Sequence, residues 1–343
     1  MLHRHAIIVV APIAAAAAIC LILLALSWPT LVAKPRQLPV AITGQSQAVA
    51  PAEAAIIGRS GDAIDLVQVG DRAAAVAAIK ERAAIGAVVL DPARPEVLTA
   101  SAGGSAEQQV MSQLAAGLQQ QLQQQRSRAA SAPSLVVTDV VPLSADDPTG
   151  SRLAIAGLPL ALGGVVGGAL LSSVLSGVKR QLVGLAGYAV LAGLGLAAIL
   201  GPWYGAFQGT YVVGAAAIAV IVLAVAAVVI GLRRLLGPAG LAVAAPLFIL
   251  GATPVSGATV PRDFLPHPWA DVGGWFPQGA GNTLLRNLSY FPDAPTTSGW
   301  LVPAVWAGIG IALILLSLRR AAVRTAADSA GSTPRTSAAA AVN

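Results

Sequence analysis

The chain alternates between long uncharged apolar runs and polar stretches, and the length of each run limits what it can be. Residues 153–178 pass 26 positions without a charge and stop at Lys179 and Arg180. A helix needs about 20 residues to cross the hydrocarbon of a bilayer, so this run predicts a membrane span with a basic boundary. Comparable runs follow at residues 182–200, 210–232, 235–253 and 299–318. Pro246 interrupts the run from 235 and Pro254 closes it, which predicts a kinked and short span. The first run, residues 6–28, is longer than the ~7–15 residues of a signal-peptide core and reads better as an uncleaved first span. Leu31, Val32 and Ala33 leave cleavage as the alternative.

Between residues 33 and 152 the period changes, and a small α/β domain is expected. Residues 38–42 and 63–69 are short apolar runs bounded by glycine and polar residues, as buried strands are. Asp71 can cap a helix to about Arg82 that puts Val76, Ile79 and Ala83 on one face. Residues 86–91 and 96–101 read as two strands joined by a proline-containing turn. Ser105 and Gln108 form a capping-box pattern opening a helix to about Gln125, with Val110, Leu114, Leu118 and Leu122 recurring at i+4. The glutamines of 119–125 then form its solvated face, and residues 134–141 supply a last strand. The expected architecture is therefore a mainly α-helical membrane protein of six spans. One span (1–32) precedes the inserted extracytoplasmic α/β domain (33–152), and a five-helix bundle (153–320) and a disordered cytoplasmic tail (321–343) follow it.

Composition supports this reading: 56% of the 343 residues are hydrophobic, 10% are charged, and mean hydropathy is +0.74. A pI near 10.1 would suggest nucleic acid as a partner if the charges were clustered on a soluble face. They are not. Nine of the basic residues, among them Arg4, Lys179, Arg180, Arg233, Arg234, Arg319 and Arg320, flank apolar runs on one side, with Asp328 the only acid there. Residues 33–152 carry ten basic and eleven acidic residues, and residues 254–298 two and three. The excess is a positive-inside signal, which places both termini in the cytoplasm, with the lipid bilayer and not nucleic acid as the charged surface at hand. The Ala, Val and Gly bias points to a bacterial plasma membrane.

Chemistry-bearing motifs are sparse. No HExxH, CxxC, GxSxG or GxxxxGK[ST] occurs, so an enzyme is not expected and no cofactor or metal site is predicted. Cys20 lies in the first apolar run, and His3, His5 and His267 have no metal-ligand spacing. The predicted spans contain no Asp, Glu, Lys, Arg or His, which disfavours a proton- or sodium-coupled pump. Ser172, Ser173, Ser176 and Gln208 could line a modest polar path, although serines in spans more commonly bond helix carbonyls.

Two stretches remain as candidate sites. Gly163, Gly164, Gly167 and Gly168 form overlapping GxxxG pairs, a seam where another helix can approach closely. Residues 254–298 hold Phe264, Trp269, Trp275, Phe276, Tyr290 and Phe291 among prolines and glycines, with a short helix at 281–288, and suit a lid at the outer interface. Arg262, Asp263, His267 and Asp271 are its polar candidates for substrate contact.

The one-plus-five spans, the DDPTG passage at 146–150 leading into the glycine-rich span, and a PxxFLP…FPxGAGxxLLR…YF pattern together resemble the permeases of type-two ABC exporters. The resemblance is to the phage-infection-protein relatives in particular. The pattern is carried by Pro261, Phe264, Leu265, Pro266, Phe276, Pro277, Gly279, Ala280, Gly281, Leu284, Leu285, Arg286, Tyr290 and Phe291. The resemblance implies a homo- or heterodimeric permease that works with a separate ATP-binding subunit and exports hydrophobic or amphipathic compounds. The 254–298 loop would then be the re-entrant outer segment, and Lys179, Arg180 and Gln181 the contact for the ATPase. The chain departs from the class in that this inner loop is so short. A non-transporting membrane scaffold whose external domain binds envelope or secretion partners is the other reading.

Overall fold

The computed structural model describes residues 2–126, 134–257 and 260–331. A long helix, α1 (Leu2–Val32), leads into β1 (Leu38–Gly44), α2 (Ser46–Ser60), β2 (Ile64–Gln68), α3 (Arg72–Lys80), β3 (Gly86–Leu90), β4 (Glu96–Thr99), α4 (Ser105–Arg126) and β5 (Val136–Asp139). The strands form one sheet in the order β2-β1-β3-β4-β5, parallel except for the β3–β4 pair. Alternate residues face opposite sides. Val40, Ile42, Val88 and Val97 pack under α2 and α4 with Val49, Ile56 and Met111. Ala41, Ala87 and Leu98 face the other way, towards Ala75 and Ile79 of α3. Asp71 caps α3, its carboxylate accepting from the Ala74 amide at 2.7 Å, as its position predicts.

After a turn at Gly150 (φ +65°), the chain enters α5 (Ser151–Ile155) and α6 (Gly157–Val174), then α7 (Val178–Ala198), which continues through a π-turn at Ile199–Trp203. The helices α8 (Tyr211–Leu236), α9 (Pro238–Ala245), α10 (Thr253–Val255), α11 (Trp269–Gly274), α12 (Pro277–Tyr290) and α13 (Thr297–Gly331) complete the chain. Among the described residues, five helical segments are long and apolar enough to cross a membrane: Ser151–Val174, Val178–Trp203, Tyr211–Leu236, Pro238–Val255 and Thr297–Arg320. They match the last five expected spans and mark the chain as a membrane protein. In the first apolar run α1 is helical, but only the segment Ile19–Pro29 is a described apolar helix, and it is shorter than a span.

The bundle is built around α8, whose Ala217, Ile218, Val222, Val225, Val229 and Ile230 are buried by α6, α7 and α13. The glycine seam of α6 faces this helix. A Cβ on Gly168 would stand 2.8 Å from the Ala226 carbonyl oxygen, and one on Gly164 would meet Val225. Gly167 lies against the Tyr188 ring of α7, whose hydroxyl donates to the Gly163 carbonyl at 2.7 Å. The seam is therefore filled from within the same chain. Ser172 and Ser173 bond the Ala169 and Leu170 carbonyls, which accounts for their polarity inside a span.

At the end of the bundle remote from the sheet, Arg233 and Arg234 belong to the last turns of α8, and the turn sits at Gly237 (φ +65°). Arg233 donates to the Ala169 carbonyl and Ser172 of α6, and Arg234 to Gln181 of α7 and Ser317 of α13. These guanidiniums tie three helices to the central one and keep their charge at the bundle end. Residues 321–331, the first part of the expected disordered tail, continue α13 as helix. The span beneath has already supplied the nucleus, and an alanine-rich sequence propagates it cheaply. The rest of that predicted tail lies outside the described residues.

If the α6–α8 seam is backbone-limited, Gly168→Val lowers thermal stability of the detergent-purified protein by roughly 1–3 kcal/mol. Gly187→Ala, on α7 with nothing within 4 Å of its added carbon, leaves it unchanged or slightly higher. Equal melting of the two variants would remove the seam from the account.

Candidate functional site

The sheet face opposite α2 and α4 is not completed by its own domain. Phe291 and Ala294, which follow α12, fill it together with α3, and the Arg82 guanidinium lies 5.2 Å above the Phe291 ring. A second contact buries Phe264 and Leu265 with Leu38 and Val255. The Phe264 carbonyl accepts from the Lys34 amide at 3.1 Å and from Arg36 at 2.7 Å. The segment 254–298 is thus the mount that joins the sheet to the bundle, and a cavity of about 650 Å³ remains where the three meet.

Three arginines and one buried glutamate define this cavity. Arg82 follows α3 in the left-handed region (φ +59°), a conformation more often left to glycine at a helix end. The turn presents its guanidinium to Asn287 Oδ1 at 3.1 Å and places it 3.7 Å from Glu107. Glu107 sits in the first turn of α4, with a side chain only 6% exposed. Burial pushes its carboxyl above the usual range, and the pull of Arg82 and Arg286 in the other direction only partly offsets this. Arg286 of α12 donates to the Ala102 carbonyl at 2.8 Å, in the turn that follows β4. Arg262 donates to Thr283 Oγ1 at 3.1 Å, and Gly274 leaves the space its guanidinium occupies. Burial lowers the pKa of both Arg262 and Arg286. Arginine nonetheless stays charged at such sites, because its starting pKa is so high.

Of the residues singled out in the 254–298 stretch, Pro261, Arg262, Asp263, Leu285 and Arg286 line this cavity. Others in the same stretch build the mount. Pro277, Gly279 and Gly281 are buried on α12, where Gly279 lies against the Gly273 carbonyl and Gly281 against Ile221 of α8. Phe276 stacks on Trp306 at 5.6 Å, and the Tyr290 hydroxyl donates to the Ala206 carbonyl at 3.4 Å. Trp269 meets Trp28 of α1 edge-on at 5.6 Å, and Pro266 lies in the turn before it. His267 and Asp271 pair at 3.1 Å on the surface, outside the cavity lining. At the other end of the bundle, Lys179 and Arg180 are exposed in the first turn of α7. Gln181 is not: it is buried between the Leu175 carbonyl and Arg234, so it offers no surface to a partner. Gln208 bonds Ser144 and the Gly205 carbonyl, away from any path through the spans.

Sequence reasoning missed Arg82 and Glu107. A basic residue after a helix and an acid in the first turn of one are ordinary dipole partners, and neither pattern shows that a loop two hundred residues away closes over them.

Comparison of the chain with family models, curated proteins and solved structures returns no match. The class is therefore defined by the architecture alone: a membrane protein with apolar helices of spanning length and a small α/β domain mounted on one end of their bundle.

The buried carboxyl sets a pH dependence. Because burial raises the folded-state pKa of Glu107, its contribution is fully present below the ordinary glutamate range and is lost as pH rises through the raised value. Glu96 runs the other way. Bonding to Arg72 holds it low, so its contribution is lost as pH falls. Melting temperature measured against pH should fall as pH rises from the ordinary glutamate range through the raised value, and Glu107→Gln should flatten that fall without altering the loss that Glu96 causes at lower pH. An unchanged fall in the variant would assign it elsewhere.

Proposed function

We propose that this chain is the permease-like subunit of an ABC-type exporter in a bacterial plasma membrane, powered by a separate ATPase and handling a hydrophobic or amphipathic substrate. The observation that carries the reading is the cavity at the junction of sheet, 254–298 segment and bundle, lined by residues of all three. A domain needed only as an anchored module would require neither five spans nor a polar chamber against their ends. In this reading α1 is a sixth span, the sheet and the 254–298 segment are external, and both termini are cytoplasmic. The basic pairs at 179–180, 233–234 and 319–320 support that orientation, since all three lie at the bundle end remote from the sheet or at helix ends continuous with it. Lys179 and Arg180 are then the exposed contacts available to the ATPase, and a second copy or a paralogue would complete the transporter.

One observation favours a non-transporting scaffold instead. Only Leu175, Ser176 and Gly177 separate α6 from α7, and Gln181 is buried, so the surface offered to an ATPase at this turn is small. Affinity purification from native membranes in mild detergent separates the two. An exporter subunit brings down a nucleotide-binding protein whose ATP hydrolysis rises in the complex, and Lys179→Glu with Arg180→Glu lowers its recovery about tenfold or more. Repeated recovery of envelope proteins with no ATPase would sink the exporter reading.

A further inference from the structure

Two of the cavity's guanidiniums touch no carboxylate, although Asp263 lines the same space beside Arg262 and Glu107 acts on Arg286 from farther off. Arg82 has Glu107 at 3.7 Å, but among the described residues no carboxylate oxygen lies within 4.0 Å of Arg262 or Arg286. Their bonded partners are neutral: the Thr283 hydroxyl for one and the Ala102 carbonyl for the other. Withdrawing a charge from water without a counter-charge in contact is costly, and the fold does so twice in this cavity. Thr283 and Arg286 are three residues apart on α12, so both guanidiniums reach the cavity from neighbouring positions of one helix face. Two unpaired arginine forks in a chamber of about 650 Å³, within the size range of small-molecule sites, suit carboxylate or phosphate oxygens.

Part of the cavity lining is apolar: Leu153, Ile155 and Leu285 contribute to it, and Ile155 is largely exposed. From Ile155 the exposed residues Leu158, Leu162, Val166 and Leu170 recur every three or four positions, a continuous apolar stripe down α5 and α6. A soluble anion has no use for this stripe, whereas a ligand with a charged head and a hydrocarbon tail uses both the arginines and the stripe.

We propose that the junction cavity binds an anionic amphiphile, its phosphate or carboxylate held between Arg262 and Arg286 and its tail lying along the α5–α6 stripe from Ile155. This deepens the permease-like reading by naming the chemical class of its substrate, and rests on that reading for the ligand's being transported and not merely held. Binding is measurable on the isolated full-length chain, with no ATPase present. The protein, purified in a neutral detergent, is titrated with dioctanoyl phosphatidylglycerol, dioctanoyl phosphatidylcholine or inorganic phosphate while its melting temperature is followed. The phosphatidylglycerol should raise the melting temperature saturably and the other two should not. Arg262→Gln should weaken its binding roughly ten- to hundredfold, with Arg262→Lys intermediate. Equal stabilisation by the choline lipid would overturn the anion site, and so would unchanged affinity in an Arg262→Gln protein. A response to inorganic phosphate as large as that to the lipid would overturn the amphiphile in favour of a free anion. Because no variant is needed for the comparison of the three ligands, misfolding of a substituted chain leaves the test intact. Loss of binding in this assay leaves the ATPase test untouched, and failure of the ATPase test leaves a lipid site standing.

Discussion

Burial of Phe291 and Ala294 against the open face of the sheet is the contact on which the rest of the arrangement depends. A five-stranded sheet with one face covered by α2 and α4 still exposes Ala41, Ala87 and Leu98, and a single short helix, α3, cannot cover them. The segment after α12 finishes the core, and the second cluster around Phe264 and Leu38 fixes the angle. Fully burying an aromatic ring contributes on the order of 2–3 kcal/mol before any packing term, so the two rings together outweigh the surface ion pairs nearby. The domain is inserted between α1 and the bundle in sequence, yet its core is completed by residues that come after four of the five apolar spans.

That same contact creates the cavity. Mounting the sheet through two separated clusters leaves a gap between them, and the chain fills the gap's walls with long polar side chains instead of closing it. Arg82 is held by Phe291, Asn287 and Glu107 at once, which makes it part of the mount as much as of the cavity. Arg262 and Arg286 are each bonded to a single neutral partner, with Asp263 and Glu107 acting on them only at a distance. Burial raises the pKa of Glu107 beside them, so the charge of the chamber depends on pH as well as on its contents.

The bundle follows a different logic. Lipid supplies no hydrophobic drive between helices, so close approach has to come from small residues. Gly164, Gly167 and Gly168 supply it on α6, and Gly310 supplies it on α13, where a Cβ would meet Ala227 of α8. Polar groups within the spans are satisfied locally by serine bonds to preceding carbonyls, and the strong charges are kept to the ends, where Arg233 and Arg234 knit α6, α7 and α13 to the centre. The result is a closely packed helical core and, where it meets the sheet, a polar junction with a cavity.

Much of this was legible beforehand, because the signals are local. Twenty uncharged apolar residues can do little but form a span, short apolar runs bounded by glycine or polar residues make strands at 38–42 and 86–91, and Asp71 announces its helix by the chemistry of one cap. The helix α2 was not legible: Pro51 within it and a mild polar–apolar mixture hide its period, and only packing of Val49 and Ile56 on the sheet makes it stable. Nor was the site. Arg262 and Arg286 stood out in an aromatic loop, but their partners Thr283 and Ala102, and the company of Arg82 and Glu107, depend on contacts spanning up to about two hundred residues. Apart from α2, the sequence by itself determined which segments are helix and strand and which apolar helices reach spanning length, since each follows from residues within a turn or a pleat of one another. Only the tertiary structure decided that a loop between two spans would complete a distant sheet and leave two buried arginines unpaired, because that outcome is a matter of which surfaces meet.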